Sequence, residues 1–198
     1  MGRMRTQSRA YAQRLVALER TWWRRVLPVQ APYRWNLRRQ RLGRTLDVGC
    51  GVGRNLAHLE SGSVGVDHNE AAVAVARSRG LDARTVSELM SSDDAKEESF
   101  DAILLAHVVE HMSRHAARGL LRTYLPYLRP GGRVFLVCPQ ERGYASDPTH
   151  ETFTTGEDLV ALAEDVGLRP AGWRSFPLPR AAGRVFTYNE FNVLASKP

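Results

Sequence analysis

Short apolar runs alternate with amphipathic segments along most of the chain. The run at 100–106 is continuous, which is typical of a strand covered on both faces of a parallel sheet. The last two apolar runs flank a proline-containing loop and are expected to form an antiparallel hairpin at the edge of the sheet. The predicted strands begin at Thr45 and continue in chain order at residues 63–67, 82–86, 100–106, 128–138, 172–176 and 184–195.

Between these runs, apolar residues recur at helical spacing. Near the N-terminus one stripe predicts a helix over 11–27 that ends at Pro28. Its members are Tyr11, Leu15, Leu18, Trp22 and Val26. A second helix is expected over 32–42, with Gly43 at its end. Later helices have capping residues at Asn69 and Ser113 and terminal glycines at Gly80 and Gly167.

This alternation of strands and helices predicts an α/β fold. We expect a doubly wound seven-stranded sheet that is mostly parallel, has an antiparallel last strand and carries helices on both faces. In such a sheet the ligand site lies beyond the C-terminal ends of the strands. Residues that follow the strands are therefore the first candidates for function.

The turn after the first strand is rich in glycine. Gly49, Gly51 and Gly53 follow Asp47 at every second position, and we expect the chain to enter a helix directly after them. The backbone N–H groups at the start of that helix would face a small anionic or polar ligand. The pyrophosphate fingerprint G-x-G-x-x-G requires a third glycine at position 54, where Arg54 stands.

An acidic residue closes the second predicted strand. Asp67 lies 20 residues after Asp47, the spacing at which a carboxylate accepts hydrogen bonds from the hydroxyls of a ribose. The two acidic residues and the glycine turn therefore indicate a ligand that contains a nucleoside.

These motifs resemble those of the class I S-adenosylmethionine-dependent methyltransferases. The likeness includes the acidic-x-Gly-x-Gly-x-Gly turn, Asp67, the segment 107–111 after the fourth strand and the L-x-P-G-G turn at 128–132. It extends from about Leu37 to Pro198. The resemblance implies a Rossmann-like fold, S-adenosylmethionine as cofactor and S-adenosylhomocysteine as product.

The resemblance also implies a set of cofactor-binding residues. In the family, the residues just after the third strand hold the adenine, and the matching positions here are Ser87 and Glu88, although the usual aspartate is not in register. An arginine or aromatic upstream of the glycine turn often reaches the methionine end, which points to Arg38, with Trp35 on the acceptor side. The full cofactor set is Asp47, Gly49, Cys50, Gly51, Gly53, Asn55, Asp67, His68, Ser87, Glu88, Ala106, His107, His111 and Arg38.

The acceptor side is expected around Tyr144, Asp147 and His150. The imidazole of His150 could remove a proton from an acceptor hydroxyl, with Asp147 or Glu151 as an orienting partner. Alternatively, His150 hydrogen-bonds loop backbone and shapes the entrance. No metal is expected, because no third ligand at metal spacing follows His107 and His111.

Charge is unevenly distributed. The net charge is +7, and residues 1–44 hold 12 of the 28 Lys and Arg but only one acid, Glu19, so they carry +11 and residues 45–198 carry −4. We expect residues 1–44 to form a basic helical cap and 45–198 a single catalytic domain. Solvated arginines on a packed helix are favoured over a nucleic-acid or membrane contact.

The remaining composition places the chain in the cytoplasm. There is no apolar run of membrane-spanning length and no signal-peptide pattern. The two cysteines, Cys50 and Cys138, form no C-x-x-C motif and suggest neither a disulfide framework nor a zinc site.

Four functions are compatible with these motifs. The favoured one is methyl transfer to oxygen, or to nitrogen, of a small molecule such as a metabolite, sugar or lipid-linked intermediate. An RNA methyltransferase is the first alternative, with the basic segment on phosphates, although no N-P-P-Y-type motif follows the fourth strand. A nicotinamide-dependent oxidoreductase is disfavoured by Arg54 and by the absence of Tyr-x-x-x-Lys. A non-catalytic S-adenosylmethionine-binding protein is the fourth. The oligomeric state is left open.

Overall fold

The computed structural model describes residues 30–198. The helix predicted over 11–27 and its stop at Pro28 lie outside these residues. None of the described helices is long and apolar enough to cross a membrane.

Seven strands form one sheet. They are β1 (Thr45–Val48), β2 (Val64–Asp67), β3 (Ala83–Thr85), β4 (Phe100–Ala106), β5 (Leu128–Pro139), β6 (Arg169–Phe176) and β7 (Glu190–Ser196). Within residues 30–198, six α-helices surround it: α1 (Ala31–Arg39), α2 (Glu70–Ser78), α3 (Val86–Met90), α4 (Arg114–Tyr124), α5 (Glu141–Tyr144) and α6 (Gly156–Asp165). Short 3₁₀ turns occupy Leu56–His58, Val109–His111, Leu125–Tyr127 and Arg180–Arg184.

The strand order is β3-β2-β1-β4-β5-β7-β6. The first five strands in this order pair in parallel, whereas β7 runs antiparallel to both β5 and β6. The predicted α/β fold and its antiparallel last strand are confirmed. The chain reverses its direction of winding between β1 and β4, so the loops after β1, β2 and β4 meet at one edge.

The core lies on both faces of the sheet. Alternate residues of β4 point to opposite sides, with Ile103 among the residues covered by α4 and α6, and Leu104 beside Leu37 and Leu42 at the end of α1. Phe100–Ala106 is almost wholly buried, which explains why its pattern is continuous rather than alternating. The strand predicted at 100–106 is confirmed residue for residue.

The predicted caps are confirmed. The Asn69 side chain accepts hydrogen bonds from the N–H groups of Ala71 and Ala72, and the Ser113 side chain accepts one from Ala116. Helix α1, in contrast, ends at Arg39 instead of 42. Arg41 has a φ of 48°, which is a left-handed conformation that a right-handed helix cannot include, and the Arg133 guanidinium donates to the carbonyl oxygens of Gln40 and Arg41 just beyond the helix end.

Two further predictions were wrong in detail. The third strand ends at Thr85, because Thr85 caps α3 and Val86 already belongs to that helix. The last strand begins at Glu190 instead of 184, because residues 180–184 form a 3₁₀ turn whose Gly183 packs against Gln140.

Candidate cofactor and acceptor site

The glycine turn after β1 has a backbone that only glycine adopts without strain. Gly49, Gly51 and Gly53 have φ angles of 75°, 53° and 83°. A Cβ at Gly49 would lie 2.5 Å from a methyl group of Val108, and one at Gly53 would lie 2.3 Å from a methyl group of Leu81. The turn is therefore held tightly between the loop after β4 and the end of α2.

The helix expected directly after this turn is absent from the described residues and is replaced by the 3₁₀ turn Leu56–His58. Only seven residues separate Gly53 from the bend at Ser61 and Gly62, which leaves no room for several α-helical turns. A helix dipole aimed at the ligand was the wrong expectation. Binding at this turn depends on the glycine backbone and on the neighbouring carboxylates.

Asp67 braces the glycine turn. Its carboxylate accepts hydrogen bonds from the N–H of Gly51 at 2.8 Å and from the N–H of Asn69 at 2.8 Å. It thus joins the turn after β1 to the cap of α2, with the side chain largely buried at the end of β2. This places one carboxylate at the position expected for ribose recognition.

Asp47 lies beneath the same turn and is 1% exposed. Burial, with the charge of Asp67, raises the pKa of Asp47 to about 7, while a hydrogen bond from the Leu56 backbone opposes the shift. Its Oδ2 has no hydrogen-bond partner among the described residues. A buried carboxylate oxygen without a donor fits a site that is completed by a cationic or hydrogen-bonding ligand.

The other predicted residues near the turn differ in what they present. Cys50 is buried with its sulfur against Gly65, so its side chain faces the core. Asn55 precedes the 3₁₀ turn without capping it. His68 lies beside Asp67, with Nδ1 3.6 Å from Oδ1. Helix α1, which carries Arg38, contacts the 3₁₀ turn Leu56–His58, where burial and the charges of Arg34 and Arg38 lower the pKa of His58.

The residues proposed for adenine lie at the start of α3. Glu88 closes a capping box with Thr85 and pairs with Arg77 at 2.6 Å, and these hydrogen bonds lower the pKa of Glu88 to about 2. All of them fall on Oε2, which leaves Oε1 for another donor. Ser87 lies beside the cap, 3.2 Å from the Thr85 hydroxyl. The adenine role of Ser87 and Glu88 stays a prediction.

His107 follows Ala106, the last residue of β4, and joins two carboxylates. Its Nδ1 is 3.2 Å from Glu110 and its Nε2 is 2.9 Å from Glu190. Removal from water lowers the pKa of His107, but the two carboxylates outweigh this and raise it to about 10. The imidazole is therefore held as a cation, in a backbone conformation with φ 61° that is rare for a residue with a side chain.

Sequence analysis missed Glu190 as a site residue. It is the first residue of β7 and is 9% exposed. Because β7 is antiparallel, its beginning lies at the edge where the parallel strands end. The predicted antiparallel last strand was the signal that could have identified an acid at its start.

The acceptor side brings two histidines together. The rings of His111 and His150 are 4.8 Å apart, and the His150 ring stacks on Tyr144 at 5.3 Å. His150 Nδ1 contacts the Tyr144 carbonyl at 2.7 Å, and His111 Nδ1 contacts the Thr149 carbonyl at 3.2 Å. Burial lowers the pKa of His111, which favours the neutral ring.

The orienting role of Asp147 or Glu151 for His150 stays a prediction. Asp147 accepts hydrogen bonds from the N–H and the hydroxyl of Thr149, at 3.0 and 2.8 Å, and Glu151 is exposed. The His150 ring also contacts the carbonyl of Tyr144. The contact between His150 and the Tyr144 carbonyl depends on the path of the loop after α5, which no sequence pattern predicts.

The two aromatic residues of α1, Tyr33 and Trp35, have different surroundings. Trp35 is 56% exposed and stacks on Phe176, with the Arg39 guanidinium over its ring. Its substrate role stays a prediction. Tyr33 donates a hydrogen bond of 2.6 Å to the Tyr188 carbonyl, which fixes α1 near the beginning of β7.

Comparison with solved structures identifies the class of this fold. A SAM-dependent methyltransferase from Archaeoglobus fulgidus superposes with a TM-score of 0.65 at 20% identity and covers 83% of this chain and 93% of its own. The sheet order and the glycine turn with its two carboxylates agree with that class. The fold is that of the class I S-adenosylmethionine-dependent methyltransferases.

Sequence comparison gives the family. Residues 46–136 match the family model described as "Methyltransferase domain", which supports a class I S-adenosylmethionine-dependent methyltransferase. It is similar to the ubiquinone biosynthesis O-methyltransferases of Mus musculus, 28% identical over 163 residues, and of Hahella chejuensis, 32% identical over 102 residues. These matches cover 75% and 46% of this chain. The chain spans about two fifths of each of these relatives, 41% in both cases.

Proposed function

We propose that this protein transfers the methyl group of S-adenosylmethionine to an oxygen of a small-molecule acceptor. The observation that carries the proposal is the pair of carboxylates at the glycine turn, one bracing the turn and the other with a buried oxygen that lacks a donor. Support for an oxygen acceptor comes from the names of the two curated relatives, which are O-methyltransferases. Nitrogen is the alternative acceptor atom.

The residues present fit the cofactor. Asp67 would hold the ribose hydroxyls, the glycine turn would lie against the amino-acid tail, and Asp47 would receive a hydrogen bond from a polar group of that tail. When bound, the cofactor supplies an activated methyl group on a sulfonium. Orientation of the acceptor behind that methyl group then provides most of the rate enhancement.

Within this proposal, His150 helps the acceptor lose its proton. A carbonyl oxygen can only accept a hydrogen bond, so the contact with Tyr144 puts the ring proton on Nδ1. Nε2 consequently keeps a lone pair. Within this proposal, the lone pair is the group that removes the proton of an acceptor hydroxyl.

The proposal extends to the organisation of the chain. Residues 1–44 would form a basic cap on a catalytic domain at 45–198, in the cytoplasm. The described part of this cap, α1, is joined to β7 by a hydrogen bond of 2.5 Å from the Asn36 amide to Asn192, which supports a fixed position over the sheet.

Labelled methyl transfer into cell extract tests the function. The expected result is label in a small, organic-soluble or polar metabolite fraction. Label in RNA would replace the small-molecule acceptor by RNA, and binding without any labelled product would indicate a non-catalytic S-adenosylmethionine-binding protein. Binding of NAD in place of S-adenosylmethionine would support an oxidoreductase.

A further inference from the structure

Three metal-ligating side chains meet beside the acceptor site. Glu110 and His111 lie in the 3₁₀ turn after β4, and His150 lies in the loop after α5. Their ligand atoms are all within 4.8 Å of one another, and Glu110 is fully buried. Sequence spacing does not show this group, because His111 and His150 are 39 positions apart in the chain.

In both histidines one ring nitrogen faces a backbone carbonyl, which is the usual arrangement for histidines that bind a metal through the other nitrogen. Each ring directs Nδ1 at a backbone carbonyl, that of Thr149 for His111 and that of Tyr144 for His150. The Thr149 hydroxyl also lies near His111 Nδ1. Because its proton is donated to Asp147, the hydroxyl oxygen can only accept a hydrogen bond from His111. Both rings therefore carry the proton on Nδ1, and both Nε2 atoms keep the lone pair that a metal needs.

The loop with His150 is fixed to the turn that carries the other two residues. The Glu110 carbonyl oxygen accepts hydrogen bonds from the N–H groups of Glu151 and Thr152, at 2.8 and 3.1 Å. The residue next to His150 is thus attached directly to the backbone of Glu110. Such a connection pre-organises ligands that come from distant parts of the chain.

The two oxygens of the Glu110 carboxylate have unequal partners. One oxygen is 3.2 Å from the His107 ring, which it shares with Glu190. The other accepts only from the Cys138 thiol, at 3.4 Å, and a thiol is a weak donor. A cation on the side of the histidines would compensate this charge more fully than the thiol does.

We propose that Glu110, His111 and His150 bind a divalent transition-metal ion. Two imidazoles and one carboxylate suit Zn²⁺, Mn²⁺, Fe²⁺ or Co²⁺ better than Mg²⁺ or Ca²⁺, which prefer oxygen ligands. Ligand atoms around Zn²⁺ are roughly 3.3 Å apart at tetrahedral angles and bonds of about 2.0–2.1 Å. The three side chains need to approach by about 1 Å or less each, which side-chain rotation allows.

This inference rests on the proposed function and refines its acceptor. Three protein ligands leave coordination positions for oxygens of an acceptor, so the substrate class is a hydroxyl compound able to bind a metal. The ion lowers the pKa of the acceptor hydroxyl, whose proton passes to solvent. The acceptor oxygen then forms a bond to the methyl carbon as the sulfur–methyl bond breaks and its electron pair returns to sulfur. With the ion bound, His150 is a ligand and not the base.

Cobalt binding tests the site without reference to activity. The full chain, free of affinity tag and treated with chelator, is titrated with Co²⁺ and followed by visible absorption. We expect one ion per chain, and more than about 100-fold weaker binding in His150→Ala and in His111→Ala, since even residues behind the ligands contribute 10- to 100-fold. His115→Ala is the matched control, because His115 is exposed on α4. Equal binding in all four proteins, or no binding to the unchanged chain, overturns the proposal.

Chelation separates this inference from the proposed function. With S-adenosylhomocysteine binding intact, we expect methyl transfer to fall at least tenfold on chelation and to return with Mn²⁺ or Zn²⁺. Transfer that resists chelation but is lost in His150→Ala would reject the metal and keep His150 as the base. Failure of the unchanged chain to bind S-adenosylhomocysteine would instead remove the proposed function, whatever the cobalt result.

Discussion

The two halves of the site are built in different ways. The cofactor half is formed by neighbouring residues, the glycine turn at 49–53 and the two aspartates that flank it, and its geometry is set by close backbone approach. The acceptor half joins α1, the turn after β4, the loop after α5 and the beginning of β7 through long-range polar contacts. The first half is therefore sensitive to added volume, and the second to the loss of single hydrogen-bonding groups.

The largest effect is expected from added volume in the cofactor half. Gly49→Ala places a Cβ 2.5 Å from Val108 at a φ of 75°, which should destabilise the fold by about 2–5 kcal/mol and abolish cofactor binding. Denaturant unfolding measures the cost. Gly80→Ala is the control, because Gly80 has a similar φ of 77° with no atom within 4 Å of its Cβ position. Equal destabilisation by the two substitutions would show that close packing is unimportant at the turn.

The second-largest effect is expected from the buried charge of Asp47, which also belongs to the cofactor half. Burial raises the pKa of Asp47 to about 7 in the fold, against about 3.9 for an unperturbed aspartate. Below pH about 4 the carboxyl is protonated in both states. Between about 4 and 7 it ionises only in the unfolded chain, so the folded state loses stability as pH rises, and the full cost is present above about pH 7. Asp47→Asn should therefore stabilise the cofactor-free protein by about 2–4 kcal/mol at pH 8.

Urea unfolding at two pH values checks this prediction. The gain in stability should disappear near pH 4, and the variant should bind S-adenosylhomocysteine more weakly at pH 8 despite being more stable. A gain that is the same at pH 4 and pH 8 would mean that the Asp47 charge is not the cause.

The residues proposed for the cofactor half follow from the sequence more directly than those of the acceptor half. Asp47, the glycines and Asp67 are close in sequence, so spacing alone indicated that they form one site. The contact of His107 with Glu190 and that of His150 with the Tyr144 carbonyl depend on tertiary packing and have no local pattern. The strand at Phe100–Ala106 was predicted because burial on both faces leaves a continuous apolar run. The 3₁₀ turn after the glycines was missed because glycine spacing does not reveal how little chain remains before the next turn.

A smaller effect is expected at the adenine end. Glu88→Ala should weaken S-adenosylhomocysteine binding about tenfold if Oε1 accepts a hydrogen bond from the ligand, because hydrogen bonds to an ionised acceptor are stronger than those to a neutral one. Thr85→Ala breaks the same capping box without removing the carboxylate and serves as the control. Calorimetry compares the two. Equal affinities in both variants would assign Glu88 to the cap alone.

The smallest effect tests the long-range assembly of the acceptor half. Tyr33→Phe removes only the hydroxyl that donates to the Tyr188 carbonyl, 155 residues away, and should cost about 1 kcal/mol of stability. Thermal unfolding measures this loss, and Tyr127→Phe is the control, because the Tyr127 hydroxyl donates to the sulfur of Met90, a weak acceptor. Identical midpoints for Tyr33→Phe and the unchanged protein would show that this contact does not hold α1 in place.

The most direct test of the account is calorimetric titration of the full chain with S-adenosylhomocysteine, repeated with Asp67→Asn. The account predicts one binding site per chain and affinity about 100-fold lower in the variant, because Asp67 braces the turn and provides the proposed ribose acceptor. Absence of binding to the unchanged chain, or equal affinity in the two proteins, would contradict it.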